Sequence, residues 1–174
     1  MTANRLRRNR PIIGIATAVA GAAVLVAVVI SGVAPAAFEW LFIGSAVAMV
    51  VAFAAAGTSG GFNDLGRLGF AAGAVGWAIY AVTRVISYTP ALITVVAFAI
   101  ALIGSLVAGV AVYQRKAFAG RANDFFLLAM VITAVYLFTE IVPLPWLSEQ
   151  IAVLLTLIWG ASLVLAGLYI LRRK

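Results

Sequence analysis

Six long apolar runs dominate this sequence, and they limit what the chain can fold into. Each run holds about 20 mostly apolar residues, the length that an α-helix needs to cross a hydrocarbon core of roughly 30 Å. With 66% apolar and only 10% charged residues among 174, the chain is far more apolar than a soluble domain of its size. The pattern predicts an all-α, polytopic integral membrane protein with six transmembrane helices, at residues 11–30, 36–56, 68–87, 91–113, 125–142 and 147–171.

Positive charge is distributed unevenly between the predicted loops. Cytoplasmic flanks of membrane spans retain Lys and Arg, so six spans with both termini cytoplasmic place every basic residue except Arg84 on one side. The residues of that side are Arg5, Arg7, Arg8, Arg10, Arg67, Arg115, Lys116, Arg121, Arg172, Arg173 and Lys174. This asymmetry predicts a multi-pass membrane protein with cytoplasmic N and C termini, and it accounts for the net charge of +7 without nucleic-acid binding. The expected partners are membrane lipids, with a homo-oligomer or a larger membrane complex left open.

An internal repeat is visible in the turns and in the spans. Pro35, Pro90 and Pro145 lie at equal spacing beside the three predicted outer turns. The motif Tyr-x-x-Thr followed by a charge occurs in the third span and again in the fifth, as Tyr80, Thr83 and Arg84 and as Tyr136, Thr139 and Glu140. We therefore expect one transmembrane domain, residues 1–174, built from three parallel-repeat helical hairpins at about 11–57, 66–114 and 123–172.

The hairpin pattern resembles that of the HdeD-type acid-resistance proteins, which are small six-helix bacterial membrane proteins. The residues that carry the resemblance are Gly14, Gly21, Pro35 and Gly44, repeated as Gly69, Gly76, Pro90 and Gly104. In the third hairpin, Asp124 and Val131 replace the leading glycines. The resemblance implies a location in the bacterial inner (plasma) membrane and a role in envelope or acid stress, and it supplies no catalytic residues.

Two charged residues fall inside the predicted spans, and a charge there is a functional hypothesis by default. Arg84 and Glu140 occupy the same repeat position with opposite sign, together with Tyr80, Thr83, Tyr136 and Thr139. As a pair they would gate or line a small outward-facing cavity, or hold an anionic group. The structural alternative, which we favour, is an Arg–Glu clasp between repeats or two side chains that reach the headgroup region.

Small residues at four-residue spacing predict close contacts between helices. In lipid the hydrophobic effect does not drive helices together, so their association depends on close packing. The candidates are Gly69, Gly73, Gly76, Gly104, Ser105 and Gly109, with Ala16, Ala18, Ala20 and Ala22 in the first span. Such residues serve packing within the monomer, self-association or docking on a larger partner, and the sequence leaves these options open.

The residue types argue against catalysis. The chain has no Cys and no His, and no nucleophile–base pair or metal-ligand cluster is apparent, so we expect neither an enzyme nor a cofactor. We expect a non-catalytic membrane protein that acts through helix–helix or lipid contacts, with an HdeD-like stress role. The alternatives are a substrate-binding subunit of an energy-coupling vitamin transporter and a small permease for an apolar or lipid-like solute.

Overall fold

A computed structural model describes residues 2–31, 33–59, 61–86, 90–142 and 148–172 of the chain. In these residues all regular secondary structure is helical, and each of the six helices is long and apolar enough to cross a membrane. The helices are α1 (Thr2–Ile30), α2 (Pro35–Gly57), α3 (Asp64–Val85), α4 (Ala91–Arg115), α5 (Ala122–Ile141) and α6 (Glu149–Leu171). The predicted all-α architecture with six candidate spans is confirmed.

The largest difference from the predicted boundaries lies at the start of α1. The sequence predicts a span that begins at Pro11, whereas the helix begins at Thr2 and contains Pro11. A proline inside a helix lacks one N–H and leaves one carbonyl without a helical donor. Here Pro11 follows the polar residues 7–10 near the end of the helix, where such a carbonyl can be solvated, so α1 extends beyond the apolar run.

Local signals explain several other helix ends. Pro35 is the first residue of α2, where its missing N–H is not needed by the helix. The side chain of Asn63 accepts a hydrogen bond of 3.0 Å from the backbone N–H of Gly66 and thereby caps α3. Ser148 caps α6 in the same way by accepting from the N–H of Ile151.

The helices form a ring in which each one packs against its two neighbours in sequence, and α6 packs against α1 to close it. Short connections make successive helices antiparallel. One end of the ring, called the hairpin end here, is where α1, α3 and α5 end and α2, α4 and α6 begin. The opposite end, called the terminal end, carries the start of α1 and the end of α6. This arrangement directs one face of every helix toward a shared interior.

Two contacts in the ring are close because they are lined with glycine. A Cβ atom added to Gly104 of α4 would lie 2.2 Å from the backbone nitrogen of Gly73 of α3, and one added to Gly76 would lie 2.4 Å from that of Ala101. At the α1–α6 contact, a Cβ on Gly21 would lie 2.4 Å from the carbonyl oxygen of Gly160. Backbones this close exclude any larger residue at these positions.

These two close contacts are not related by the predicted repeat. The α3–α4 contact lies within the second hairpin, whereas the α1–α6 contact joins the first hairpin to the third. The ring order is the order that three hairpins around one axis require, but its closest contacts do not follow a threefold pattern. The parallel repeat stays a prediction, and Pro145 in the third turn lies outside the described residues.

Polar side chains join the ring at the terminal end. The guanidinium of Arg10 in α1 donates to the carbonyl oxygens of Ile170 and Arg172 at the end of α6. The amide of Asn9 donates to the carbonyl oxygen of Ala55 at 3.0 Å, near the end of α2. Because these carbonyls lie at the ends of helices, where no helical donor is available, the two side chains tie α1 to both of its neighbours.

Candidate functional site

Stacked aromatic rings close the centre of the ring of helices. The indoles of Trp77 in α3 and Trp159 in α6 are parallel within 9° and 5.9 Å apart between centroids. Trp159 also stacks with Tyr136 of the adjacent helix α5, with the ring centroids 4.3 Å apart. Phe42 of α2 lies 6.4 Å from Trp159. Since α3 and α6 share no backbone contact, these side chains reach across the interior to meet.

The interior on the terminal side of this stack is filled by large apolar side chains. Phe53 and Phe70 meet edge to face with centroids 5.8 Å apart, and Phe62 covers Phe70 at 4.8 Å. Met49 and Met130 are fully buried beside them in the same core. Flexible methionine side chains fill irregular space between rigid rings.

On the hairpin side of the stack the interior is hollow. A cavity of about 280 Å³ lies there, close to the lower end of the range of roughly 300–1,000 Å³ found for small-molecule sites. Five helices contribute to its wall, and α4 does not. The lining residues are Val28, Ser31, Phe38, Phe42, Arg84, Tyr136, Glu140, Glu149, Ala152, Val153 and Thr156. Trp159 lies next to this wall, because it stacks on Tyr136 and its ring centroid is 6.4 Å from that of Phe42, and both of these residues line the cavity.

Arg84 lies in this wall, but its ionic partner is not the one that the sequence predicts. Its guanidinium Nη1 lies 3.4 Å from Oε2 of Glu39, and the two side chains are 37% and 47% exposed. The guanidinium also lies over the ring of Tyr80, 5.2 Å from its centroid. The predicted partner, Glu140, is on α5, which is not adjacent to α3, whereas Glu39 is on the neighbouring helix α2. Adjacency in the ring therefore decides the pairing.

Glu140 nevertheless faces the same cavity as Arg84. Glu149, the first residue of α6, joins it in the lining. Among the residues that the structure describes, neither carboxylate takes part in a salt bridge. The sequence-predicted residues Arg84 and Glu140 are thus brought to one site as separate groups, with a second acidic side chain added to them.

The two Tyr-x-x-Thr motifs form the same hydrogen bond to their own backbone but differ in their position relative to the cavity. Thr83 and Thr139 each donate a hydrogen bond of 2.7 Å to the carbonyl oxygen of the tyrosine three residues earlier. Tyr136 lines the cavity, whereas Tyr80 is buried between Trp77 and Phe98. The two copies of the motif therefore contribute differently, one as wall and the other as packing beside Arg84.

Beneath the cavity, the indole nitrogens of the two tryptophans have different surroundings. Nε1 of Trp159 donates to the hydroxyl of Thr133 at 2.9 Å. Nε1 of Trp77 and the hydroxyls of Ser45 and Ser105 are buried without a hydrogen-bond partner. Buried polar atoms are seldom left unpaired, so hydrogen bonding is less complete at these three atoms than in the rest of the core.

The glycines and the serine predicted for helix packing on α3 and α4 all lie inside the ring, whereas Ala22 of α1 is exposed. Gly69, Gly73 and Gly76 are buried on α3, and Gly104, Ser105 and Gly109 are buried on α4. A Cβ on Gly69 would meet Val107 of α4 at 2.6 Å, and one on Gly109 would meet Met130 of α5 at 2.8 Å. Ala16 and Ala20 of α1 are buried as well. These positions are therefore occupied by contacts within the monomer.

Sequence reasoning did not find several parts of the cavity. Glu39 and Glu149 were not assigned to a site, and neither were the cavity-lining residues Phe38, Phe42 and Thr156. One signal was available, because the alternation of six helices places Glu39, Arg84, Glu140 and Glu149 at the same end of the bundle. Four charges at one end of an apolar bundle indicate a polar interior at that end.

The six helices define the chain as a multi-pass membrane protein. No family model matches the sequence, and no curated protein or solved structure is significantly similar to it. In the described part of the chain, no three Asp or Glu side chains come together as a group able to hold a metal ion. A second cavity, of about 500 Å³, lies at the terminal end and is lined only by residues 113–124 around the connection between α4 and α5. The cavity at the hairpin end is lined by side chains of five helices, and it is the feature on which a functional proposal has to rest.

Proposed function

We propose that the protein is a non-catalytic membrane protein that binds a small, partly apolar solute at the hairpin end, as a binding protein or a small permease. The observation that carries this proposal is the contrast within one ring, which is closed by aromatic stacking at its centre and hollow on one side of it. Ligand sites in helical bundles occur between the helices and combine apolar walls with a few polar groups. Phe38, Phe42 and Tyr136 supply such a wall.

Action through helix–helix contacts was the function expected first from the sequence. That proposal depends on small residues that are free to meet a partner. The glycine positions of α3 and α4 are already buried within the monomer, so solute binding is the better supported candidate. A role in envelope or acid stress rests on the resemblance to HdeD-type proteins and stays a prediction.

The alternative hypothesis, a substrate-binding subunit of an energy-coupling vitamin transporter, is also less well supported. That alternative relied on the Ala-x-x-x-Ala faces of the first helix as a docking surface. Ala16 and Ala20 are buried, and a Cβ on Gly167 of α6 would lie 2.5 Å from the backbone nitrogen of Ala18. Three of the four alanines are therefore buried or in contact with α6, and Ala22 is exposed.

We further propose that the hairpin end faces the exterior and that both termini are cytoplasmic. The basic residues at the terminal end support this orientation. Because the chain has no cysteine, single-cysteine variants report on it directly. Gln150→Cys at the hairpin end and Gln114→Cys at the terminal end form a matched pair, since both glutamines are exposed. We expect a membrane-impermeant maleimide to label intact cells only at position 150, and labelling at 114 alone would reverse the orientation.

Solute binding is tested with three tritiated probes of similar shape: phenyltrimethylammonium, the neutral tert-butylbenzene and the anion benzenesulfonate. We expect saturable binding of at least one probe to the purified protein in detergent. Ala152→Trp, which fills the cavity from its wall, should abolish that binding. Ala54→Trp, on an exposed position of α2 at the terminal end, should retain it.

The two tryptophan variants also distinguish binding to the cavity from partitioning of the probe into the detergent micelle. Partitioning would be the same for both variants, whereas binding to the cavity would be lost in only one of them. Val28→Trp is a second cavity-filling variant in case Ala152→Trp does not fold. The proposal is wrong if none of the three probes binds saturably, or if the cavity-filling variants bind as well as the parent protein.

A further inference from the structure

The cavity has an excess of negative charge. Arg84, Glu140 and Glu149 line it, and Glu39 lies just behind Arg84. The cavity and its immediate surroundings therefore contain three carboxylates and one guanidinium. The ends of the helices do not offset this excess, because two of the five helices that line the cavity begin there and three end there, and helix C-termini carry a partial negative charge.

The guanidinium of Arg84 is already engaged on two sides. Glu39 approaches Nη1 to 3.4 Å with both carboxylate oxygens, and the ring of Tyr80 covers it at 5.2 Å. An anionic solute that used Arg84 would have to displace Glu39 and would then meet Glu140 and Glu149. Like charges at close range are repulsive, so the cavity is poorly suited to anions.

Glu140 and Glu149 have the opposite character. Neither forms a salt bridge with a described residue, and the interaction of Glu140 with the neutral hydroxyl of Tyr136 does not cancel its charge. The negative charge of both is therefore available to a solute that carries a positive group. They lie on different helices, α5 and α6, and face one cavity from two sides. A positive group between them would be attracted by both at once.

The aromatic wall favours the same kind of solute. Phe38 and Phe42 lie side by side on α2, with centroids 4.8 Å apart, and Tyr136 contributes a third ring. The faces of aromatic rings attract cations within about 6 Å, and organic ammonium groups with apolar substituents benefit most from such surroundings. Val28, Ala152 and Val153 complete an apolar surface for the body of the solute.

From this arrangement we infer that the cavity selects an amphipathic organic cation, with its ammonium-type group near Glu140 and Glu149 and its apolar body against Phe38, Phe42 and Tyr136. This inference rests on the proposed solute binding and adds the charge class of the ligand. The carboxylates determine which solutes bind, and the Arg84–Glu39 pair is a neutral part of the wall.

The three probes described above test the charge class, since they share a similar shape and differ in charge. We expect phenyltrimethylammonium to bind more tightly than tert-butylbenzene, and benzenesulfonate to bind least. Removing one exposed carboxylate should weaken binding of the cation by about threefold, in line with the small energies of exposed ion pairs. The variants are Glu140→Gln and Glu149→Gln, and Asp124→Asn at the terminal end is the matched control that should have no effect.

Arg84→Gln distinguishes most clearly between a site for cations and a site for anions, because the two kinds of site predict opposite changes in affinity for their ligand. Loss of the guanidinium frees Glu39, so affinity for phenyltrimethylammonium should rise by about threefold. Glu39→Gln leaves Arg84 uncompensated and should lower that affinity by a similar factor. If the site bound anions, Arg84→Gln would instead weaken binding of benzenesulfonate.

The possible outcomes separate this inference from the proposal on which it rests. Tighter binding of the cation, with the expected changes in the Glu140 and Arg84 variants, supports both. Saturable binding of the neutral or anionic probe at equal or higher affinity overturns the charge assignment and leaves solute binding intact. Absence of saturable binding by all three probes overturns the proposed function itself.

Discussion

The same six helices surround a filled interior at the terminal end and a hollow one at the hairpin end. At the terminal end, Phe53 and Phe70 extend into the space between the helices and contact each other. At the hairpin end, the short side chains of Val28, Ala152 and Thr156 line the cavity together with three aromatic rings. Because the same helices form both ends, we infer that the side chains at inward positions decide where the interior of this bundle has a cavity.

The boundary between the two halves is formed by Trp77 and Trp159. Their parallel indoles lie 5.9 Å apart between centroids, and the described residues that line the cavity all lie on the hairpin side of them. We therefore expect passage of a solute through the ring to require the stack to open. A site that is accessible from the hairpin end alone fits a binding protein, or one state of a permease in which the opposite side is shut.

The largest expected effect concerns the close approach of α3 and α4, on which the ring itself depends. Gly104→Leu places a side chain where the backbone of Gly73 lies, at 2.2 Å from a Cβ at position 104. Since neither backbone is able to yield, the helices must separate, and we expect a loss of about 3 kcal/mol or more. The measurement is thermal unfolding and size-exclusion elution of the purified protein in detergent.

Gly44→Leu is the control for this substitution, because a Cβ at position 44 has no atom within 4 Å. It introduces the same side chain on an exposed face of α2 and should leave the unfolding temperature unchanged. Equal destabilisation by the two leucines would show that close α3–α4 packing does not hold the ring together.

A second prediction compares the two halves directly. Phe53→Ala removes a fully buried ring from the filled half and leaves a void, so we expect a loss of about 3 kcal/mol. Phe38→Ala removes a half-buried ring at the hollow end, where the main loss is its contact with Phe42, worth about 1 kcal/mol. Unfolding in a denaturing detergent measures both, and a larger loss for Phe38→Ala would contradict the contrast between the halves.

The smallest expected effect concerns the boundary. Thr133→Val keeps the shape of the side chain and removes the acceptor of the Trp159 indole N–H. Interhelical hydrogen bonds of this kind contribute about 1 kcal/mol in membranes. Thr17→Val is the matched control, since the buried Thr17 hydroxyl donates to the carbonyl of Ile13 in its own helix, as that of Thr133 does to Ala129.

The difference in unfolding free energy between these two valine variants reports the hydrogen bond to Trp159 alone. If the variants are equally stable, that hydrogen bond contributes nothing to stability. Near-ultraviolet circular dichroism of the stacked indoles provides a second measurement, and it should change for Thr133→Val and not for Thr17→Val.

The candidate site shows where prediction from the sequence stopped. Arg84 and Glu140 could be singled out because charges are rare in membrane spans. Their common location at one cavity could be anticipated from the alternation of the helices, but the partner of Arg84 could not. Glu39 was paired with it only because α2 lies next to α3 at the hairpin end, which is a property of the folded ring.

The sequence by itself determined the positions of the six spans, because the free energy of placing a segment in lipid depends on the residues of that segment alone. The tertiary structure decided which helices became neighbours, which glycines met which backbones and where the interior stayed hollow. Those outcomes depend on how side chains from different helices fit together, since packing and not solvent drives helix association in a bilayer. A pattern read along one chain segment does not contain that information.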